Sequence, residues 1–301
     1  MTPARGRWRQ NVPLHFMLLP GLILTLIYSY GSMLGNVIAF QDFLPSRGLF
    51  GSDWVGLENF KYVYSLPQTG QVIRNTLFIS VMKMSAGLIV PIATALLLNE
   101  IAKQWFKRTV QTLVYLPHFM SWVILGGILH DVLSPNGGIV NEVLGLFGIE
   151  PIYFLGSERI FPFVLVGTNE WKEFGFSTIV YLAAITSINP VLYESAVIDG
   201  ANRWQQMLRI TLPGMLPIII LMSTLSLGNI LNAGFDQVFN LYNPSVYTTG
   251  DIIDTYVYRI ALINGQLAVG TAVGLFKSVI SFFLIAISYT MAYRYANYRI
   301  F

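Results

Sequence analysis

Apolar residues in this chain run together rather than alternating with polar ones. Stretches of about 20 residues, enough to cross roughly 30 Å of hydrocarbon, fall near Leu14–Phe40, Ile73–Leu98, Val110–Leu133, Phe161–Ile188, Met215–Ala233 and Leu267–Tyr293. The pattern predicts an all-α polytopic membrane protein, one transmembrane domain over 1–301 with six spanning helices. Polar, turn-rich segments separate the runs. Phe43–Tyr64 carries Gly48, Gly51 and Gly56 with Trp54 and Phe60, and Ser134-Pro135-Asn136-Gly137-Gly138 reads as a turn. Ile139, Val140, Val143, Leu144 and Phe147 then space a short helix along the surface.

The longest polar interruption is Asn189–Pro213. Asn189 caps a helix that Pro190 can open, because Pro at the first helical position loses no hydrogen bond. Gly200 ends it by tolerating a left-handed backbone. A second helix is expected from Asn202, with Trp204, Met207, Leu208 and Leu212 on one face and Arg203, Gln206 and Arg209 on another, stopping at Pro213. Two short helices with a sharp turn form a compact knob, a place where another protein can push.

Composition agrees with a membrane chain: of 301 residues 54% are hydrophobic and 11% charged, against about 25% charged in soluble domains. The net charge of +3 is too small and scattered for nucleic acid, and the absence of cysteine removes disulfides, thiolate metal sites and thiol nucleophiles. The charges do set sidedness. Arg5, Arg7, Arg9, Lys103, Lys107, Arg108, Arg203, Arg209, Arg294 and Arg299 fall on one side, which makes the knob and both termini cytoplasmic. Arg47, Lys61, Arg74, Arg159 and Arg259 fall on the other with most of the acids. Arg5, Arg7 and Arg9 also suit the start of a secretory signal, but the run from Leu14 is longer than a signal core and is read as the first span.

Several polar groups lie inside the spans. Lys83 either snorkels outward or faces a wet cavity. Asn169, Glu170, Trp171, Lys172 and Glu173, followed by Gly175, mark a pathway, an internal salt-bridge cluster or a belt at the outer headgroups. Asn229 and Asn232 share a helix face and bond either a neighbouring helix or a polar ligand. His118 and His130-Asp131 lack the spacing of a metal site. Gly270, Gly274 and Lys277-Ser278 echo a phosphate loop, but Lys277 stands three positions after Gly274 and no strand precedes it. Gly270-x-x-x-Gly274 instead favours close helix approach, with Lys277 a candidate for a cavity wall.

Glu194-Ser195-Ala196, three residues, Gly200, nine residues, then Ile210-x-Leu212-Pro213 resembles the E-A-A-x3-G-x9-I-x-L-P signature of ABC-importer permeases, with Ser195 as the one departure. Asp199-Gly200-Ala201 resembles its sugar-permease form, as do Trp54-Val55-Gly56-Leu57-Glu58-Asn59-Phe60 and Trp171-Lys172-x-Phe174-Gly175-Phe176. Phe235-Asp236-Gln237 with Tyr242-Asn243-Pro244, and Asp251 to Arg259, are similar to the poly- and oligosaccharide branch.

The resemblance implies a type I importer permease in the bacterial inner membrane. It pairs with a second homologous permease and with two ATP-binding subunits that carry ATP and magnesium. An extracytoplasmic solute-binding protein delivers the sugar. Glu194, Ser195, Ala196, Asp199, Gly200, Ala201, Ile210, Leu212 and Pro213 would then form the coupling element, and Asn169, Trp171, Lys172, Gly175, Asn229, Asn232 and Lys277 the substrate pathway. The competing class is a sugar carrier driven by an ion gradient, whose relay would draw on Glu170, Glu173, Lys83 and Lys277. No nucleophile–base pair or metal set suggests an enzyme.

Overall fold

A computed structural model of the chain describes residues 5–296, and side-chain environments over 12–290. The chain ends, on which the cytoplasmic placement of both termini rests, lie outside the described residues. Two units form, one from the chain up to Leu66 with Val257–Leu275, the other from Pro67–Tyr256 with the chain from Phe276 onward.

In the first unit, α1 (Arg5–Thr25) is prolonged by a π-helical turn, a short α-turn and a 3-10 stretch to Phe40. The apolar run Val12–Phe40 is long enough to span a bilayer and shows no buried residue in its apolar window. Its side chains therefore face lipid or another chain. The chain then doubles back, and Gln41–Asp42 pairs antiparallel with Asp53–Trp54. This small pairing corrects the all-α expectation. Its cause is aromatic: Trp54 stacks on Phe40 at 5.6 Å and Phe60 closes from the other side at 5.3 Å. The Asn59 amide donates to the carbonyls of Ala39 and Gln41, both at 2.9 Å. Further along, a Cβ on Gly270 would lie 2.4 Å from that of Ala261, so this glycine does permit close approach.

The second unit is built on α2 (Pro67–Glu100), which runs through Pro91 without interruption. Then come α3 (Gln104–Tyr115), α4 (Trp122–Val132), α5 (Ile139–Leu146) and α6 (Phe161–Thr186). They are followed by α7 (Pro190–Ile198), α8 (Leu212–Gly228), α9 (Phe235–Leu241) and, from Phe276 onward, the rest of α10 (Leu267–Ala296), whose start belongs to the first unit. Four helical runs qualify as spans by length and composition, or six if each of two bent pairs is one crossing.

Three expected boundaries move. The run Val110–Leu133 is not one helix: α3 and α4 meet at 106°. Pro117 lies in a 3-10 turn, and the Ser121 hydroxyl starts the new helix by accepting from Ile124 N–H at 3.3 Å. The second knob helix does not stop at Pro213 but continues from Arg203 to Gly228. A π-helical turn over Met207–Thr211 precedes the proline, and its wider loop relieves the clash and missing N–H that would end a regular helix. The fifth span ends at Gly228 rather than Ala233, leaving Asn229–Gly234 as turns with Gly234 at φ 91°.

Two dry cores form along the packed pair α2 and α6. One gathers Ile79, Leu129, Leu165, Val238, Leu241 and Ile252. The other gathers Ala95, Tyr181, Ala184, Ile185 and Met215. The middle of α2, the middle of α6 and the end of α8 contribute to neither, and a polar void opens there.

Candidate functional site

Two features stand out, the knob and the void. The Asn189 side chain caps α7 by accepting from Val191 N–H at 3.1 Å, and the chain bends by 67° from α6. At the far end Gly200 has φ 75°. Gly200 N–H donates to Val197 O at 3.1 Å and Ala201 N–H to Ala196 O at 2.8 Å, the paired bonds of a Schellman motif. Asn202 and Gln205 then exchange bonds at 2.8 and 2.9 Å to open the next helix.

Cross-ties make the knob one body. Tyr193 Oη meets Thr211 Oγ1 at 2.9 Å, and the Gln206 amide donates to Ala201 O at 2.9 Å. A cavity of about 370 Å³ between the arms is lined by Ala196, Asp199, Gly200, Ala201, Arg209 and Ile210 among others. Glu194 is exposed, and the tip presents large apolar groups to solvent, Ile198 at 86% and Trp204 at 70% exposure. Leu212 and Pro213 begin the shaft that leads into the apolar run of α8.

The void consists of cavities of about 600 and 400 Å³ that share Lys83, Met84, Asn169, Met222, Ser226, Asn229 and Asn232 as lining. Of the residues expected on a pathway, Asn169, Asn229 and Asn232 come together here. The two asparagines sit on the turn after α8, not on one helix face, with Asn232 N–H bonded to Asn229 O at 2.8 Å.

Trp171, Lys172, Gly175 and Lys277 line neither cavity. Trp171 is exposed on α6. Lys172 points into the bend between α3 and α4, donating to His118 O at 2.8 Å and Glu173 Oε1 at 2.9 Å, 5.7 Å over the Trp122 ring. Glu173 Oε2 takes His118 Nδ1 at 2.8 Å, and the imidazole stacks on Phe176 at 4.2 Å. These residues form a latch that holds the broken span against α6. Gly175 is a crossing point, since a Cβ there would stand 2.0 Å from Val114 O. Lys277 is paired with Asp254 at 2.5 Å.

Lys83, one of whose two readings is a wet cavity, and Glu170, from the polar stretch at the start of the fourth run, both line the larger cavity. Lys83 does not snorkel: its Nζ donates to Ala233 O at 2.6 Å and to Gln237 Oε1. A lone lysine in an apolar run was the available signal, but its partners lie about 150 residues away in sequence.

Removing Glu173 leaves the Lys172 ammonium, 9% exposed, with only the His118 carbonyl and the Trp122 ring. Glu173→Ala is expected to destabilise by roughly 2 kcal/mol, less than for a fully buried pair because Glu173 keeps 37% exposure. Thermal unfolding in detergent checks this, and the loss should shrink when Lys172→Met is added.

A multi-span helical protein with a rigid two-helix knob and a separate polar void among its long apolar helices is a membrane-transport component. The chain belongs to the family of binding-protein-dependent transport system inner membrane components, whose model matches residues 87–299. It is 42% identical over 96% of its length to a Bacillus subtilis polygalacturonan/rhamnogalacturonan transport system permease protein, YteP, of which 90% is covered. It is 38% identical to LplB of the same organism, over 93% of this chain and 87% of that protein. Among solved structures, a bacterial ABC transporter involved in the import of the acidic polysaccharide alginate matches with TM-score 0.88 and 40% identity, covering 95% of this chain and 97% of that one. A second, a bacterial alginate ABC transporter in complex with alginate pentasaccharide-bound periplasmic protein, matches with TM-score 0.89 and 39% identity, covering 97% of each.

Proposed function

We propose that this chain is a permease subunit of an ATP-driven importer for an oligo- or polysaccharide, with alginate the narrowest candidate. The knob carries this reading: the E-S-A-x3-G signature coincides with a Schellman-closed turn, a rigid shape suited to a partner's cleft. In this account the bent pair α3 and α4 makes one crossing and α6 another, giving six spans, with α7 turned out into the knob, and the knob and both termini cytoplasmic on the basic side. A second permease completes the path, two separate subunits hydrolyse ATP, and a solute-binding protein delivers sugar from outside. The whole operates in the bacterial inner membrane.

Glu194 anchors the knob to the ATPase subunit through a charge-assisted bond. Ser195, Ala196 and Ala201 keep the turn compact, and Asp199 closes α7. Ile210, Leu212 and Pro213 join the knob to the shaft of α8. Motion of the ATPase cleft is passed on because the knob's second arm and the shaft form one continuous helical run, Arg203–Gly228, and Tyr193 and Gln206 tie the first arm to it. Asn169, Asn229 and Asn232 line the sugar path, where amides suit hydroxyl groups. Trp171, Lys172, Gly175 and Lys277 act by supporting the helices around it.

The gradient-driven carrier has less support. Among its relay candidates Lys277 is paired with Asp254, and Glu173 with Lys172 and His118. The test is affinity copurification from mild detergent. An ATP-hydrolysing partner is expected with the wild-type chain; absence of any ATPase activity in the purified material would contradict the proposal.

A further inference from the structure

Lys103, Lys107 and Arg108 gather at the start of α3, and the knob, the void and the latch use none of them. No acidic residue occurs between Glu100 and Asp131, and Glu100 is already taken by Arg203 at 3.0 Å. None of the three cations has an ion pair among the described residues. Lys103 and Arg108 are exposed and Lys107 is half-buried. A local excess of three positive charges with no acid in reach is complementary to an anionic partner.

The exposed side chains change in character along the helix, and that order says which partner. Trp105 stands in the first turn, 66% exposed, with its ring edge-on to Phe106 at 5.8 Å. Leu113 is exposed about 12 Å further along the axis, at 1.5 Å per residue. Leu116 and Phe119 carry the apolar exposure on to the bend. Val114, whose backbone meets Gly175 of α6, is half-buried. Cations, then an indole, then bare hydrocarbon is the layering of one membrane leaflet, with its phosphates, its interface and its acyl chains. An acidic protein surface would match the cations but not the exposed leucines beyond them. The helix also belongs to a bent pair that is apolar enough to cross a membrane, so its exposed face continues into lipid.

We propose that Lys103, Trp105, Lys107 and Arg108 form a docking surface for an anionic phospholipid, its phosphate on the cations and its chains along Trp105 and Leu113. A zwitterionic headgroup brings its own cation, so the surface selects lipids of net negative charge. The bound lipid anchors the arm that carries the bend and crosses α6. This rests on the reading above that α3 and α4 make one crossing with the start of α3 on the basic side.

The test measures binding of tail-labelled phosphatidylglycerol to the complex with its partner permease and ATPase subunits in mild detergent. Unlabelled phosphatidylglycerol, phosphatidylcholine and soluble glycerol phosphate serve as competitors. Each cation near an anionic surface adds about fivefold to affinity. The wild type is therefore expected to prefer phosphatidylglycerol to phosphatidylcholine at least about tenfold, and the triple variant Lys103→Gln, Lys107→Gln, Arg108→Gln to lose at least about tenfold of that preference. The control variant Lys61→Gln, Arg74→Gln, Arg159→Gln removes the same charge from the other side and should keep it. Glycerol phosphate should not compete, because it has no chains for Trp105 and Leu113 to meet. Phosphatidylglycerol should also raise the midpoint of thermal unfolding in the wild type and not in the triple variant at α3.

A preference unchanged by the α3 substitutions, an equal loss in the control, competition by glycerol phosphate or an equal thermal shift in both proteins would each overturn the proposal. Loss of the ATPase subunits from the α3 variant with its lipid preference intact would also overturn it, by making this face a protein contact. Should the triple variant not assemble, the exposed single change Arg108→Gln decides, with a loss of about fivefold expected. Absence of ATPase from the wild-type preparation would overturn the import reading instead, and the lipid preference is then read on the chain alone.

Discussion

Gly200→Asp is expected to lower sugar uptake by at least about 100-fold while the protein still reaches the membrane in normal amount. Gly200 has φ 75°, and nothing lies within 4 Å of where its Cβ would stand. The new side chain therefore has room, and the backbone strain is about 1 kcal/mol, too little to unfold a knob tied by Tyr193, Gln206 and the Asn202 capping box. The damage lies outside the fold. The substitution places a second carboxylate beside Asp199 on a tip whose neighbours Val197, Ile198 and Trp204 are exposed and apolar. Burying that charge unpaired in a partner's cleft costs several kcal/mol, and 1.4 kcal/mol is a factor of ten. Glu194→Lys should give the same phenotype by reversing the anchoring charge. The readouts are uptake, membrane level by immunoblot and ATPase copurification; uptake at the wild-type rate in either variant would end the coupling account.

Gly175→Leu is expected to leave no stably folded protein, with a loss well above the 1–3 kcal/mol of ordinary overpacking. The atoms facing it are the backbone carbonyl oxygen and carbon of Val114, at 2.0 and 2.5 Å from the added Cβ, and backbone cannot rotate aside. Parting α3 from α6 would also open the latch of Lys172, Glu173 and His118. Gly167 on the same helix is the control, since nothing lies within 4 Å of its Cβ position. Gly167→Leu should fold and elute as a single species in detergent. Equal behaviour of the two variants would show that the crossing does not limit stability.

The local signals in the sequence were strong where the chemistry is local. Asn189-Pro190, Gly200 and Asn202 each start or stop a helix through their own backbone, and all three do so in the structure. Apolar runs located four helices long and apolar enough to span, and two bent pairs, for the same reason. What depends on distant partners was not legible. Pro213 reads as a helix stop, yet a π-helical turn upstream absorbs it. Lys172 reads equally as a pathway charge or as part of a salt-bridge cluster, and only His118 and Glu173 beside it decide for the cluster; Lys277 looks like a pathway charge until Asp254 is found beside it. Of the two readings of Lys83, snorkelling falls away only when Ala233 and Gln237 are found on it, and the cavity reading stands. The end of α8 at Gly228 likewise has no local breaker beyond that glycine, and it decides that Asn229 and Asn232 meet Asn169 around one void.

The most direct test of the central claim is sugar uptake into proteoliposomes carrying this chain with its partner permease and ATPase subunits, with the solute-binding protein outside. The account predicts that oligosaccharide accumulates only when ATP and magnesium are enclosed, and that collapsing the proton and sodium gradients changes nothing. Accumulation that follows an ion gradient and persists without ATP would contradict it.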